Sequence, residues 1–192
     1  MTITPFILAS SSPRRLSLLA DIGIVPDRVL PADIDESPLK GEVPRAMAKR
    51  LAFEKGAFVA TANPDALVLS ADTVVAVGRR VLPKAETPDD VRRFLQLMSG
   101  RRHRVFTAVA LFRPHGKPLQ KCSESIVTFK LLSEAEIEDY CASGEGIGKA
   151  GGYAIQGRAA CLIRAMAGSY SGIVGLPLFE VAQLLKSAGG NS

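Results

Sequence analysis

The apolar and polar positions of the chain switch between two periods, and each switch marks an element boundary. Phe6–Ala9 is a short unbroken apolar run, the pattern of a buried strand. Ser12 then stands as an N-cap with Pro13 in the first helical turn, and Leu16, Leu18, Leu19 and Ile22 follow at helical spacing before Gly23. That spacing predicts a helix with those four residues in the core. A strand is predicted near 28–32, then a loop over the polar, proline-bearing ADIDESPLKGEVP. Next comes a helix over 44–62, with Leu51, Phe58 and neighbouring alanines on its inner face. ALVLSADTVVAVGRRVLPK reads as two strands joined by a hairpin turn at Val77-Gly78-Arg79-Arg80.

Farther on, Thr87, Pro88 and Asp90 open a helix with a capping box, and Gly100 stops it. HRVFTAVALFRP and CSESIVTFKLL are predicted to pair as strands across the turn at 114–117. Ser133 and Glu136 box a further helix. GIGKAGGYAIQGRAACLIRAMAG reads as a glycine-rich loop feeding a strand, and VGLPLFEVAQLLKSAGG as a closing helix. Strands and helices mix without strict alternation, which predicts an α/β fold with a mixed, twisted sheet flanked by helices. No internal repeat or low-complexity linker divides residues 1–192, so a single domain is expected. The glycine-rich segment 144–157 reads either as a hinge between two lobes or as a binding loop.

Composition narrows the function classes. With 47% hydrophobic and 22% charged residues the chain is too apolar for disorder. No apolar run nears the roughly 20 residues of a membrane span, and the opening MTITPFILAS lacks a basic n-region, so no membrane partner is expected. Cys122, Cys141 and Cys161 form no CxxC or zinc pattern and read as reduced, buried thiols of a cytoplasmic protein. His103 and His115 are too few and too far apart for a His-based metal site. A net charge of +5 favours anionic partners. The basic residues fall in small groups, Arg14-Arg15 and Lys49-Arg50 among them, most of which read as solvated surface, and the absence of tryptophan leaves little platform for stacking single strands.

Four stretches carry candidate chemistry. In ILASSSPRRLSLL, hydroxyls and two guanidinium forks stand at a strand–helix joint, where helix N-terminal amides attract anions. The same residues would also make an ordinary capped helix with two solvated arginines. No Walker-type loop is present. In SADTVV, Asp72 interrupts an apolar run at what reads as a strand end, where a carboxylate is costly unless paired, metal-bound or functional. The alternative is a turn-forming Asp. DIDES offers Asp33, Asp35 and Glu36, either solvated or oxygen donors for a hard divalent cation. GKAGGYAIQG is either a flexible connection or a loop that approaches a ligand, with Gln156 able to read a base edge through its amide.

Together these pieces resemble the Maf family of nucleoside triphosphate pyrophosphatases. LASSSPRR, DIDE, RLAFEK, SADTVV, VLPKAE, SGRRHRVFTAV, GKAGGYAIQG and GSYSGIVGLPL stand in the family's order over nearly the whole chain. The resemblance implies an α/β fold with two lobes about a central cleft, similar to that of inosine triphosphate pyrophosphatases. It implies a divalent-metal-dependent cut between the α and β phosphates, with Mg²⁺, Mn²⁺ or Co²⁺ as the ion, and homodimers. By position, Asp72 matches the catalytic carboxylate; Glu36, Lys55 and Lys84 match cleft residues; Ser10, Ser12 and Arg15 match the phosphate-contacting motif. Glu36 and Asp72 are the expected metal ligands. Arg14, Thr73 and Gln156 match positions tied to base preference and look like the dTTP/UTP branch; the 7-methyl-GTP branch tends to carry tryptophan in place of that arginine. One departure is Pro83 before Lys84, where many members have glycine.

Two other readings stay open at this level. One is a pyrophosphatase for 7-methyl-GTP or other modified nucleotides. The other is a basic nucleic-acid-binding protein, against which stand the acidic loop and Asp72, since carboxylates in a binding cleft repel a phosphate backbone. The expected partner is therefore a nucleoside triphosphate, with no stable nucleic-acid partner.

Overall fold

The computed structural model describes residues 4–189; the first and last three residues of the expected single domain lie outside them. The elements run β1 (Phe6–Ala9), α1 (Pro13–Asp21), β2 (Arg28–Val29), α2 (Pro44–Thr61), β3 (Leu67–Val77), β4 (Arg80–Leu82), α3 (Pro88–Met98), β5 (Arg102–Phe112), β6 (Leu119–Phe129), α4 (Glu134–Ala142), β7 (Ile163–Ala167), α5 (Tyr170–Val174) and α6 (Leu178–Ser187). A 3₁₀ turn, Arg158–Cys161, precedes β7. The strands form one mixed sheet in the order β2-β1-β3-β5-β6-β7, with β4 paired to β3. β1 is parallel to β2 and β3; the other pairings are antiparallel. The α/β class with a mixed sheet is thus borne out.

Two edges of β3 differ, and the difference opens the cleft. Along one edge β5 pairs continuously from Val68 to Ala76. Along the other, β1 covers β3 only from Leu67 to Ser70, and β4 covers it only from Val75 to Val77. Between them stands a gap at residues 71–74. Asp72 therefore lies inside an 11-residue strand, not at a strand end or in a turn, and the cost of a buried carboxylate there is offset by Lys55, whose Nζ lies 2.5 Å from it.

Each sheet face buries its own helices. On one, α2 lays Met47, Ala48, Leu51 and Ala52 on Val74, Ala76, Phe106 and Ala108. On the other, Leu8, Leu69, Ala71, Val109 and Leu111 pack with Leu18, Leu19, Val181 and Leu184 of α1 and α6. Val75, Val105 and Val127 pack instead with Val91, Phe94, Leu95 and Ile137 of α3 and α4. Thr73, Thr107 and Ser123 are cross-strand partners between these two clusters. This face is therefore two apolar lobes divided by a seam of hydroxyls.

Several local expectations need correction. Leu16 and Ile22 of the first helical stretch are each 39% exposed, because only Leu18 and Leu19 reach the core. Phe58 is 53% exposed. The inner side of α2 is lined by small residues, Ala48, Ala52 and Gly56, which lets the helix approach too closely to admit a phenyl ring. The strand expected over 28–32 is two residues long and exposed. Cys161 is exposed rather than buried, Cys141 is buried and Cys122 intermediate; all three are free thiols. Both predicted capping boxes form, at Thr87/Asp90 and Ser133/Glu136. The 3₁₀ turn and the five-residue α5 had no periodicity long enough to announce them.

Candidate active site

A cavity of about 350 Å³ opens at the gap beside β3. The ten residues matched to the family's functional positions all line it: Ser10, Ser12, Arg14, Arg15, Glu36, Lys55, Asp72, Thr73, Lys84 and Gln156. They come from six separate stretches of chain. Adjacent strand residues point to opposite faces, so Asp72 emerges on the α2 face and Thr73 on the α5 face, and both reach the cavity through the missing length of edge.

On the α2 face, one buried lysine joins two carboxylates. Lys55 Nζ lies 2.5 Å from Asp72 Oδ1 and 2.9 Å from Glu36 Oε1. Lys84 Nζ closes the chain at 3.0 Å from Glu36 Oε2. Burial pulls the Glu36 carboxyl upward, but hydrogen bonds and charge from Lys55, and then Lys84, carry it below the usual carboxylate range. Glu36 is an anion at neutral pH. Its loop is held by Arg50, whose guanidinium donates to Glu42 at 2.8 Å, to Glu54 at 2.9 Å and to the Ser37 carbonyl at 3.0 Å. Arg50 is thus no solvated surface residue; it sits a little over one helical turn from Lys55 and sets Glu36 above it. Asp33 and Asp35 alternate away from the cavity and are exposed.

The α5 face carries the cations and hydroxyls. Arg15 donates from Nε to the Gly175 carbonyl at 2.8 Å and from Nη1 to Ser10 Oγ at 3.1 Å. Arg14 Nε donates to the Val174 carbonyl at 3.3 Å. The C-terminal carbonyls of α5 therefore hold both arginines. Burial lowers the Arg15 guanidinium from its ordinary value, and the charge of Asp72 works against that. Ser10 Oγ accepts from Arg15 and also from the Ser12 amide at 3.1 Å, which leaves its proton free for a ligand. Ser12 occupies the N-cap position of α1, yet its side chain makes no capping bond. Pro13 carries no N–H and the Arg15 amide donates to the Ser12 carbonyl at 3.2 Å, so the N-terminus of α1 offers the Arg14 amide, which with two hydroxyls stands beside two cations, an arrangement suited to a phosphate.

The glycine-rich loop closes the third side. Lys84 and Ala85 bridge to Ala150 and Ile147, and Gly151 donates to the Pro83 carbonyl at 3.0 Å. Gly151 has φ +70°, and a Cβ there would stand 2.8 Å from Val75 Cγ1, so both its conformation and its packing require glycine. The segment is a packed wall of the cleft. His103 Nε2 meets the buried Tyr153 hydroxyl at 2.8 Å and ties this wall to β5. Two lining contributors were not among the candidates: Lys149, whose ammonium is lowered by burial and by Arg14, and the Val174–Gly175 carbonyls. Neither has a sequence signal beyond its motif, since a main-chain carbonyl looks alike in every residue.

Residues able to hold a cation can be tested against this geometry. Among the described residues no three His, Cys, Asp or Glu side chains cluster. Glu36 and Asp72 converge on one ammonium, so their oxygens share a small volume next to the cationic rim. Two carboxylates fit Mg²⁺-type binding completed by phosphate oxygens and water; they do not make a closed protein cage.

Fold and cleft together define an α/β protein with a lysine-bridged pair of carboxylates set opposite a cationic, hydroxyl-rich rim. The chain belongs to the Maf-like protein family, whose model matches residues 5–188. A dTTP/UTP pyrophosphatase of Zymomonas mobilis is 58% identical over 183 residues, covering 95% of this chain and 91% of that protein. One of Caulobacter vibrioides is 56% identical over 183 residues, with 95% of each chain covered. The solved Staphylococcus aureus Ham1 protein aligns over 66% of this chain and 72% of its own, at 15% identity and TM-score 0.48.

Proposed function

We propose that the chain is a divalent-metal-dependent nucleoside triphosphate pyrophosphatase. It hydrolyses dTTP and UTP between the α and β phosphates, giving a nucleoside monophosphate and pyrophosphate. The carrying observation is the placement of Asp72, tied to Lys55, across the cavity from Arg15, Ser10 and the N-terminus of α1. The names of the relatives support the substrate.

Phosphoanhydride hydrolysis asks a protein chiefly for positioning and charge stabilisation. The triphosphate lies along the rim, with Ser10, Ser12, the Arg14 amide and the Arg15 guanidinium on its oxygens. Lys55 and Lys84 neutralise charge on the departing pyrophosphate. Asp72 orients the attacking water and takes its proton. Glu36 and Asp72 would hold the divalent ion, Mg²⁺, Mn²⁺ or Co²⁺. When bound, the ion supplies charge neutralisation and polarises the phosphorus–oxygen bonds. Arg14, Thr73 and Gln156 face the base.

The protein acts in the cytoplasm as a homodimer without a stable nucleic-acid partner. Among the described residues no helix is long and apolar enough to cross a membrane. A panel of dTTP, UTP, dCTP, 7-methyl-GTP and modified pyrimidine triphosphates tests the reading, with each divalent ion and pyrophosphate release as readout. Release greatest with dTTP and UTP is expected. Steep salt-dependent DNA binding without any nucleotide turnover overturns the reading.

A further inference from the structure

The hydroxyl seam between the two apolar lobes has one consistent direction of hydrogen bonding. Thr107 Oγ1 lies 2.7 Å from the Gly172 carbonyl oxygen and 3.1 Å from Thr73 Oγ1. A carbonyl only accepts, and a threonine hydroxyl has one proton. The Thr107 proton is therefore committed to Gly172, and the contact with Thr73 needs the Thr73 proton. Arg15 Nη2, 3.4 Å from Thr73 Oγ1, can only donate. The relay runs from Arg15 to Thr73, to Thr107, to the carbonyl of Gly172. Toward the cavity, Thr73 is left with a lone pair and no proton.

Packing enforces the arrangement. Thr107 is fully buried, so neither of its bonds can be exchanged for water. A Cβ on Gly172 would stand 2.7 Å from Ser123 Oγ, so α5 seats directly on the seam. Ser125 Oγ also accepts from the Ser169 amide at 3.0 Å, at the N-cap of α5. Thr107 thereby fixes the helix whose last carbonyls hold Arg14 and Arg15.

We propose that Thr107 is a positioning residue that sets base selectivity by holding Thr73 as a hydrogen-bond acceptor toward the nucleotide. This rests on the reading of the cavity as a nucleoside triphosphate site. The matching ligand group is a donor. Uracil and thymine present an imide N–H at the ring position where cytosine presents an acceptor nitrogen. In a uracil or thymine nucleotide the other donors are sugar hydroxyls, and cytosine donates only from its exocyclic amino group, not from that ring position.

The test measures kcat/KM for UTP, dUTP, CTP and dCTP with wild type, Thr107→Val, Thr107→Ser, Thr73→Val and the Thr73→Val/Thr107→Val double variant. Thr107→Val is expected to lower the UTP-to-CTP ratio by about 3- to 10-fold, the size of one neutral hydrogen bond, with UTP-to-dUTP unchanged. Thr107→Ser keeps the hydroxyl and retains the wild-type ratio. In the Thr73→Val background, Thr107→Val changes the ratio no further. A wild-type ratio in Thr107→Val overturns the proposal alone; so does a change confined to UTP against dUTP, which assigns the donor to the sugar. Should Thr107→Val not fold, Thr107→Ala is read in its place and by the same outcomes, and an unchanged ratio in Thr73→Val overturns the proposal as well. A wild-type protein that releases no pyrophosphate from any of the four overturns both this and the function it rests on.

Discussion

Lys55 and Asp72 form a buried ion pair at 2.5 Å, and the same ammonium holds Glu36 at 2.9 Å. One cation therefore keeps two carboxylates together beside the cationic rim. Removing either carboxylate leaves Lys55 with the other as partner, so catalysis and folding can be separated at Asp72. Asp72→Asn, which keeps shape and loses the base, is expected to cut kcat by about 10²- to 10⁴-fold. Circular dichroism and melting should stay close to wild type. Wild-type turnover in the folded variant would remove Asp72 from the chemistry.

The reverse holds for the lysine. Lys55→Met leaves a buried Asp72 without its cation, a change that costs about 3–5 kcal/mol in fully buried pairs. The lower end is expected here because Glu36 is partly exposed. Urea unfolding measures it. Adding Asp72→Asn should return much of the loss; no recovery would mean that the Lys55 stem, not its charge, carries the effect.

Gly56 sits where α2 touches the sheet. A methyl there would meet the Phe112 ring at 2.4 Å and Ser70 Oγ at 2.6 Å. Alanine gains up to about 1 kcal/mol of helix propensity, but overpacking costs about 1–3 kcal/mol. Gly56→Ala should lower Tm by about 2–4 °C per kcal/mol of net loss. A raised Tm would show that Phe112 swings aside freely.

His103 gives a pH signature. Burial lowers its pKa from 6.5 to about 4. Between those values the unfolded chain binds a proton that the folded chain refuses, so stability rises with pH across that window and is lost as pH falls from 6.5 toward 4. The slope is at most about 1.4 kcal/mol per pH unit. Gln places an amide near Nε2 and has no such titration. The gap in stability between wild type and His103→Gln should therefore shift in favour of the variant from pH 6.5 to pH 4, as read by denaturant midpoints. Parallel curves would contradict a buried neutral imidazole.

With only two carboxylates facing the rim, the ion should arrive with the nucleotide. Chelation by EDTA is expected to abolish pyrophosphate release and to leave the Tm of the free protein unchanged. A fall of many degrees would reveal a resident structural ion instead.

Short-range chemistry is what the amino-acid sequence by itself determined. The capping boxes at Thr87 and Ser133, the Val77–Arg80 turn and the apolar runs of β1, β3 and β5 follow from neighbours a few residues apart, and they stand as read. The motifs also marked the residues that line the cleft. Tertiary structure alone decided how those residues meet. No periodicity tells that β1 leaves β3 uncovered after Ser70 and that β4 covers it again only from Val75, yet that gap brings Asp72 and Thr73, on opposite faces, into one cavity. Nor does apolar spacing say which face a neighbour covers: Leu16 and Phe58 look like core residues and are exposed, while Arg50 looks like surface and anchors the Glu36 loop. Register between distant strands and the closeness of helix to sheet are set by packing across the whole chain, and a local pattern carries no record of either.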